Sequence, residues 1–152
     1  MDTPDQPTTS ASNPTPFLDE MRRGIVALVD DHELVGRALS MLMEVKQLES
    51  INFDSAEALL QTLELRDGHI WLQGKSAKLP LQFAVIDMNM PGMNGVALAH
   101  RLRDMAPQLR MVVMTASMNH ERRPFGPLPE GVQCLTKPFR LEDLEKIMFQ
   151  TP

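Results

Sequence analysis

The sequence predicts an α/β protein built on a doubly wound parallel sheet. Three observations carry this expectation. Strand-like and helix-like stretches alternate from residue 24 onward. The strand-like runs are short and almost wholly apolar, as strands covered on both faces must be. Several of them end on a carboxylate, a hydroxyl or an amine. Alternation of this kind sets helices on both faces of one sheet, and right-handed crossovers leave few topologies. In such sheets ligands bind beyond the carboxyl ends of the strands, where the strand order reverses.

The first strand is Ile25-Val26-Ala27-Leu28-Val29, ending on Asp30-Asp31. A helix follows, with Val35, Leu39, Leu42 and Val45 at one-face spacing. Ile51-Asn52-Phe53 reads as a weak second strand, and Ala56, Leu59, Leu60 and Leu63 mark the next helix. The third strand, Phe83-Ala84-Val85-Ile86, ends on Asp87. Asn94 is a good N-cap for a helix striped by Val96, Ala99 and Leu102. Met111-Val112-Val113-Met114 ends on Thr115, and Val132-Gln133-Cys134-Leu135-Thr136 ends on Lys137-Pro138. Leu141, Leu144, Ile147 and Met148 form the last helix.

Two regions break the alternation. Residues 65–80, with the only tryptophan, Trp71, read as a long connection before the third strand. Residues 118–131 should hold the fourth helix, but Pro124, Gly126, Pro127 and Pro129 make it short or irregular. Residues 1–20 are polar and rich in Pro, Ser and Thr, a tail expected to be disordered. The folded domain is then 21–152.

At 152 residues the chain is one domain of ordinary composition, 43% hydrophobic and 23% charged. It can bury about two-thirds of its unfolded surface and needs no disulfide or structural metal. Cys134 is the only cysteine, which fits a reducing compartment. The polar start predicts no signal peptide, and no apolar run spans a bilayer. A cytoplasmic location is expected. Of the net charge of −5, Asp2, Asp5, Asp19 and Glu20 supply all but one unit. A nearly neutral body without a basic stripe argues against nucleic-acid binding.

If the runs are neighbouring parallel strands, Asp30, Asp31, Asp87, Thr115 and Lys137 meet at one sheet edge. Such a set can hold a divalent cation and a phosphoryl group. Unpartnered, the acids repel; at about 5 Å and an effective dielectric near 20 each charged pair costs on the order of 3 kcal/mol. Asp30 or Asp31 could instead merely cap the following helix. His32, His69, His100 and His120 show no ligand spacing and read as surface residues.

Taken in order, the acidic pair Asp30-Asp31, Asp87 within IDMNMPGMNG, Thr115-Ala116, Lys137 and Pro138 resemble the receiver domain of bacterial response regulators. The resemblance covers about residues 24–150. It implies a flavodoxin-like five-stranded parallel sheet in the order 2-1-3-4-5, with helices on both faces. It implies that Asp87 is the phosphoacceptor, taking a phosphoryl group from a histidine kinase or histidine phosphotransfer protein. Asp31, Asp87 and the backbone carbonyl of Asn89 would ligate Mg²⁺, with Asp30 acting through water. Lys137 would contact the acyl phosphate after a cis Lys-Pro bond. Thr115 would hydrogen-bond a phosphoryl oxygen, and the small Ala116 would leave that group accessible. Output would be altered contact with a downstream protein, from a monomer or weak dimer. The only chemistry would be self-catalysed phosphotransfer and dephosphorylation, so the chain is not expected to be an enzyme in the ordinary sense.

The chain departs from the family three residues before Lys137, where a Tyr or Phe is usual and Cys134 stands; it has no tyrosine at all. The usual coupling of threonine to an inward-swinging ring therefore lacks its aromatic partner at that position. Two rival classes remain: a degenerate receiver acting as a phosphorylation-independent interaction module, and a haloacid-dehalogenase-like phosphatase. The phosphatase motif wants an Asp two residues after the nucleophile, where this chain has Asn89.

Overall fold

The structure is a computed structural model that describes residues 16–116 and 125–149. In chain order the elements are α1 (Pro16–Arg22), β1 (Ile25–Val29), α2 (Glu33–Val45), β2 (Glu49–Phe53), α3 (Ala56–Thr62), β3 (Glu64–Arg66), β4 (His69–Gln73), β5 (Lys78–Asp87), α4 (Gly95–Met105), β6 (Arg110–Thr115), β7 (Gln133–Thr136) and α5 (Leu141–Phe149). The parallel strands lie in the order β2-β1-β5-β6-β7. Counted among themselves, that is the expected 2-1-3-4-5.

Alternate side chains of the parallel strands feed two separate cores. Ala27, Val29, Ala84, Ile86 and Val113 meet α3 and α4 on one face. Val26, Leu28, Val85, Val112 and Met114 meet α1, α2 and α5 on the other. The period of two is kept because one residue of β5 is extra: Ile25 pairs with Leu81 but Val26 pairs with Phe83. This bulge at Gln82 puts Leu81 on the same face as Ala84 and Ile86.

Residues 65–80 are not the long connection the sequence predicts. They hold β3, β4 and the start of β5, an antiparallel hairpin that raises the sheet to seven strands among the described residues. Asp67 and Gly68 form its turn, both at positive φ (51° and 77°), the geometry that two-residue hairpin turns require. Ile70 and Leu72 are buried while His69 and Gln73 are exposed, so one face of β4 closes the core beneath α3 and α4. Arg66 stacks on Trp71 at 5.1 Å and, with Lys78, pairs with Glu64 on the outside.

The expected boundary of the disordered tail at residue 20 is also corrected. Pro16–Arg22 is helical, with proline at the position where its missing N–H costs nothing. Met21 is buried between this helix and its neighbours, and the Arg22 guanidinium donates to Lys46 O at the end of α2. Residues 1–15 lie outside the described residues. So does half of the region expected to hold the fourth helix; its described remainder, 125–131, contains no α-helix. On α2 the buried seam is Leu39, Leu42 and Met43, and Val45 points to solvent. Among the described residues no helix is long and apolar enough to cross a membrane.

Candidate functional site

β1, β5, β6 and β7 end together, and the residues just past their apolar runs share one rim. β1 delivers Asp30 and Asp31, β5 ends on Asp87, and β6 ends on Thr115. Thr115 pairs in register with Thr136, and the Lys137 N–H donates to Thr115 O at 2.7 Å. The Lys137-Pro138 peptide bond is cis. The Lys137 ammonium lies 3.1 Å from Asp87 Oδ1 and 3.6 Å from Asp30 Oδ2. Asp30, Asp87 and Thr115 are buried, at 7%, 2% and 0% exposure. Asp31 and Asn89 are at the surface, and Ala116 is exposed beside Lys137. The sequence therefore brings Asp30, Asp31, Asp87 and Lys137 into one cluster, with Thr115 on the next strand.

His32 is the residue the sequence reading missed. Its Nδ1 lies 2.9 Å from Asp30 Oδ1, 3.3 Å from Asp31 Oδ1 and 3.9 Å from Asp87 Oδ2. Its own backbone N–H also donates to Asp30 Oδ1. The ring is reached through local backbone geometry at the start of α2, so a search for ligand spacing along the chain passes over it. Its position directly after an acidic pair at a strand end was the available signal.

The electrostatics are those of a concentrated negative site. Burial and the neighbouring Asp30 raise the Asp87 carboxyl above its ordinary range, against the opposing effect of Lys137. The hydrogen bond to Asp30, with the Asp30 and Asp31 charges, raises His32 above its ordinary value. One ligand atom from each of Asp30, Asp31, His32 and Asp87 lies within 4.8 Å of the other three. Among the described residues, Asp30 Oδ2 and Asp87 Oδ2 are buried without a hydrogen-bond partner. Two buried carboxylate oxygens without hydrogen bonds are costly, a cost that Lys137, 3.6 Å from Asp30 Oδ2, and a bound cation would both reduce. A set of hard oxygens at this spacing suits a divalent cation that keeps part of its water. The crevice beside the acid pair, about 660 Å³, runs out between α2 and α3 past Arg37, Asn52 and Asp54.

Both raised values give the metal-free protein the same pH dependence. A raised carboxyl means the folded state binds more protons than the unfolded one above the ordinary value of 3.8. A raised imidazole contributes stability that is present below 6.5 and lost as pH rises through its folded value. Metal-free protein is expected to melt higher as pH falls from neutrality toward about 5. Below 4.5 Glu57 and Glu64, held below their ordinary values by their hydrogen-bond partners, contribute in the opposite direction. Calorimetry in chelator across this range checks the sign; a midpoint that falls steadily from pH 7 to 5 would contradict it.

The loop after Asp87 is tightly drawn. The Met88 N–H donates to Met114 O, the Gly95 N–H donates to Met88 O, and the Asn94 side chain accepts from Ala97 N–H to cap α4. A Cβ on Gly95 would lie 2.3 Å from Asp87 O and 2.8 Å from Met88 Cα, so only glycine lets α4 start this close to the strand end.

The family model for the response regulator receiver domain matches residues 26–149. Among curated relatives, the DNA-binding transcriptional regulator NtrC of Klebsiella pneumoniae is 25% identical over 123 residues, covering 81% of this chain and 24% of that protein. The response regulator receiver protein CpdR of Brucella abortus is 24% identical over 119 residues, covering 78% of this chain and 88% of CpdR. This chain thus spans about a quarter of the length of NtrC and most of that of CpdR. Among solved structures, a CheY-like receiver protein of Methanospirillum hungatei superposes with a TM-score of 0.63 at 18% identity, covering 81% of this chain and 88% of that one. The regulator TrrA of Thermotoga maritima, solved in complex with Mg²⁺ and BeF, gives 0.62 at 17% identity, covering 81% and 94%.

Proposed function

Because this chain belongs to the response regulator receiver domain family, a family of two-component signalling, we propose that Asp87 is its phosphoacceptor. The observation that carries the reading is a buried carboxylate at a strand end, 3.1 Å from a lysine ammonium and inside a cluster of two further acids. An Asp87 carboxylate oxygen attacks the phosphorus of a phosphohistidine. The P–N bond breaks, its electron pair returns to the imidazole nitrogen, and an acyl phosphate remains on Asp87. Mg²⁺ would be held by Asp31, Asp87 and the Asn89 carbonyl, with Asp30 acting through water. When bound, the ion offsets the charge on the phosphoryl oxygens during in-line transfer. Lys137 pairs with Asp87 before transfer and meets a phosphoryl oxygen after it. The Thr115 hydroxyl, one strand away, donates to another, and Ala116 leaves the approach open. The chain carries out its own phosphotransfer and dephosphorylation and no other reaction, and it works in the cytoplasm.

The donor is a histidine kinase or histidine phosphotransfer protein, and the signal passes to a downstream protein. Beside the acceptor, a groove of about 510 Å³ runs between α2 and the segment after β7, lined by Leu34, Ala38, Ala116, Lys137, Phe139 and Leu141 among others. Leu34 is 77% and Leu141 43% exposed. A donor reaching Asp87 from this side covers that apolar surface. Leu34→Glu is expected to slow transfer from a phosphohistidine donor about tenfold. Labelling by a small phosphodonor should be unchanged; equal loss with both donors would remove the donor surface from α2.

Incubation with acetyl phosphate or phosphoramidate and Mg²⁺ tests the reading. One phosphoryl group should be gained, acid-stable and base-labile, mapping to the peptide that contains Asp87. No gain would leave a phosphorylation-independent interaction module. Continuous release of phosphate from monoesters would point to a phosphatase instead.

A further inference from the structure

The loop from Met88 to Asn94 carries the Asn89 carbonyl and is pinned at its base by backbone bonds through Met88. Its far side is held from another element. Glu57, in the first turn of α3, accepts the Met93 N–H on Oε2 at 2.9 Å, a contact made across 36 residues of chain. The next residue back, Gly92, has φ of 78°, and a Cβ there would lie 2.8 Å from the same Oε2. Glycine at this position is what lets the loop approach the carboxylate so closely. Glu57 is itself well placed: Ser55 caps α3 by accepting the Ala58 N–H, Ala56 and Leu59 are buried, and a carboxylate is favoured in a first helical turn. Met88 and Met90 anchor the near side of the loop in the core, whereas Met93 on the far side is only half-buried, so the Glu57 contact is the polar hold on that side.

We propose that Glu57 is a positioning residue for the phosphoacceptor site: by holding Met93 and Gly92 it fixes the loop that presents the Asn89 carbonyl to the cation. The inference rests on the reading of Asp87 as the phosphoacceptor of a metal-assisted site. Glu57 touches neither the acids nor Lys137 in the structure, so its influence passes through the loop backbone alone. A group that orients a metal ligand in this way commonly alters metal affinity by about tenfold or more when removed. The low-lying Glu57 carboxyl, held down chiefly by its bond to Met93, fits a charge-assisted contact.

Mg²⁺ titration of the full chain by calorimetry, alongside thermal melting in chelator, tests this. Glu57→Ala should weaken Mg²⁺ binding about tenfold. Glu57→Gln keeps an acceptor oxygen without the charge and should stay within about threefold of the wild type. The Met93 amide should exchange faster in Glu57→Ala than in Glu57→Gln, which reports on the tie even where the alanine variant is less stable. Mg²⁺ affinity unchanged in Glu57→Ala, or lost equally in both variants, would overturn the proposal while wild-type phosphorylation of Asp87 stands. A wild type that binds no Mg²⁺ would overturn the underlying site reading and this inference with it.

Discussion

Asp87→Asn is expected to remove phosphoryl labelling completely while leaving a metal-free protein at least as stable as the wild type. Loss of label follows from chemistry, since the amide has no carboxylate oxygen to form the acyl phosphate. The stability half is less usual, because replacing a buried polar group commonly destabilises. Here the carboxylate is 2% exposed, one of its oxygens has no hydrogen-bond partner, and Asp30 lies within 4.8 Å. At that separation and an effective dielectric near 20, the repulsion is on the order of 3 kcal/mol. The upward displacement of the Asp87 carboxyl shows that burial and Asp30 together outweigh Lys137. In the variant Lys137 keeps Asp30, at 3.6 Å, as its partner. Denaturation in chelator measures the difference. Wild-type protein should gain about 2.7 kcal/mol from Mg²⁺ at a hundredfold excess over its dissociation constant, and the variant much less. Residual label in Asp87→Asn would move the acceptor elsewhere.

Gly95→Ala is expected to have the larger effect on folding. Alanine is the better helix former by about 0.5–1 kcal/mol, which alone would stabilise α4. The added Cβ, however, meets Asp87 O at 2.3 Å and the Met88 backbone at 2.8 Å. Neither is the movable end of a side chain. Either α4 withdraws, losing Leu98, Ala99 and Leu102 from the core, or the end of β5 shifts. Forcing atoms into a packed site costs about 1–3 kcal/mol, occasionally more, so the clash wins over helix propensity. A destabilisation of about 2 kcal/mol, with weaker Mg²⁺ binding, is the expected result of urea denaturation and metal titration. A variant as stable as the wild type would show that the strand end gives way freely.

Much of the site was legible in the sequence because its chemistry sits at strand ends. Once Val29, Ile86 and Met114 are assigned to buried parallel strands, the residues after them can only emerge at one rim. Asp30, Asp31, Asp87 and Thr115 needed no more than period and order. Lys137 needed β7 as well, a strand whose described residues are mostly half-exposed and whose apolar signal is weak. The contacts of His32, despite its place after the acidic pair, and of Glu57 were not read for another reason. Their contacts depend on side-chain direction at helix starts, one from α2 and one reaching 36 residues onward from α3.

The hairpin was legible but not read. Asp67-Gly68 is a strong two-residue turn signal, and the β-prone run Ile70-Trp71-Leu72 follows it. Its length and its place inside an expected crossover made it look like a connection. The helix Pro16–Arg22 failed on composition: the polar run before it obscured two inward positions, Leu18 and Met21, spaced for one helical turn. The inverse holds for Val45. Its spacing matched the stripe of α2, but the helix lies on the sheet with Met43 inward, so Val45 is left 76% exposed.

β5 is ten residues long, twice the length of β1. At about 3.3 Å per residue it spans some 33 Å, with Asp87 at one tip and the Lys78–Glu64 pair at the other. The candidate site and the hairpin therefore occupy opposite ends of one continuous strand. Substitutions in the hairpin are thus expected to leave the spacing of Asp30, Asp87 and Lys137 at the far end unchanged.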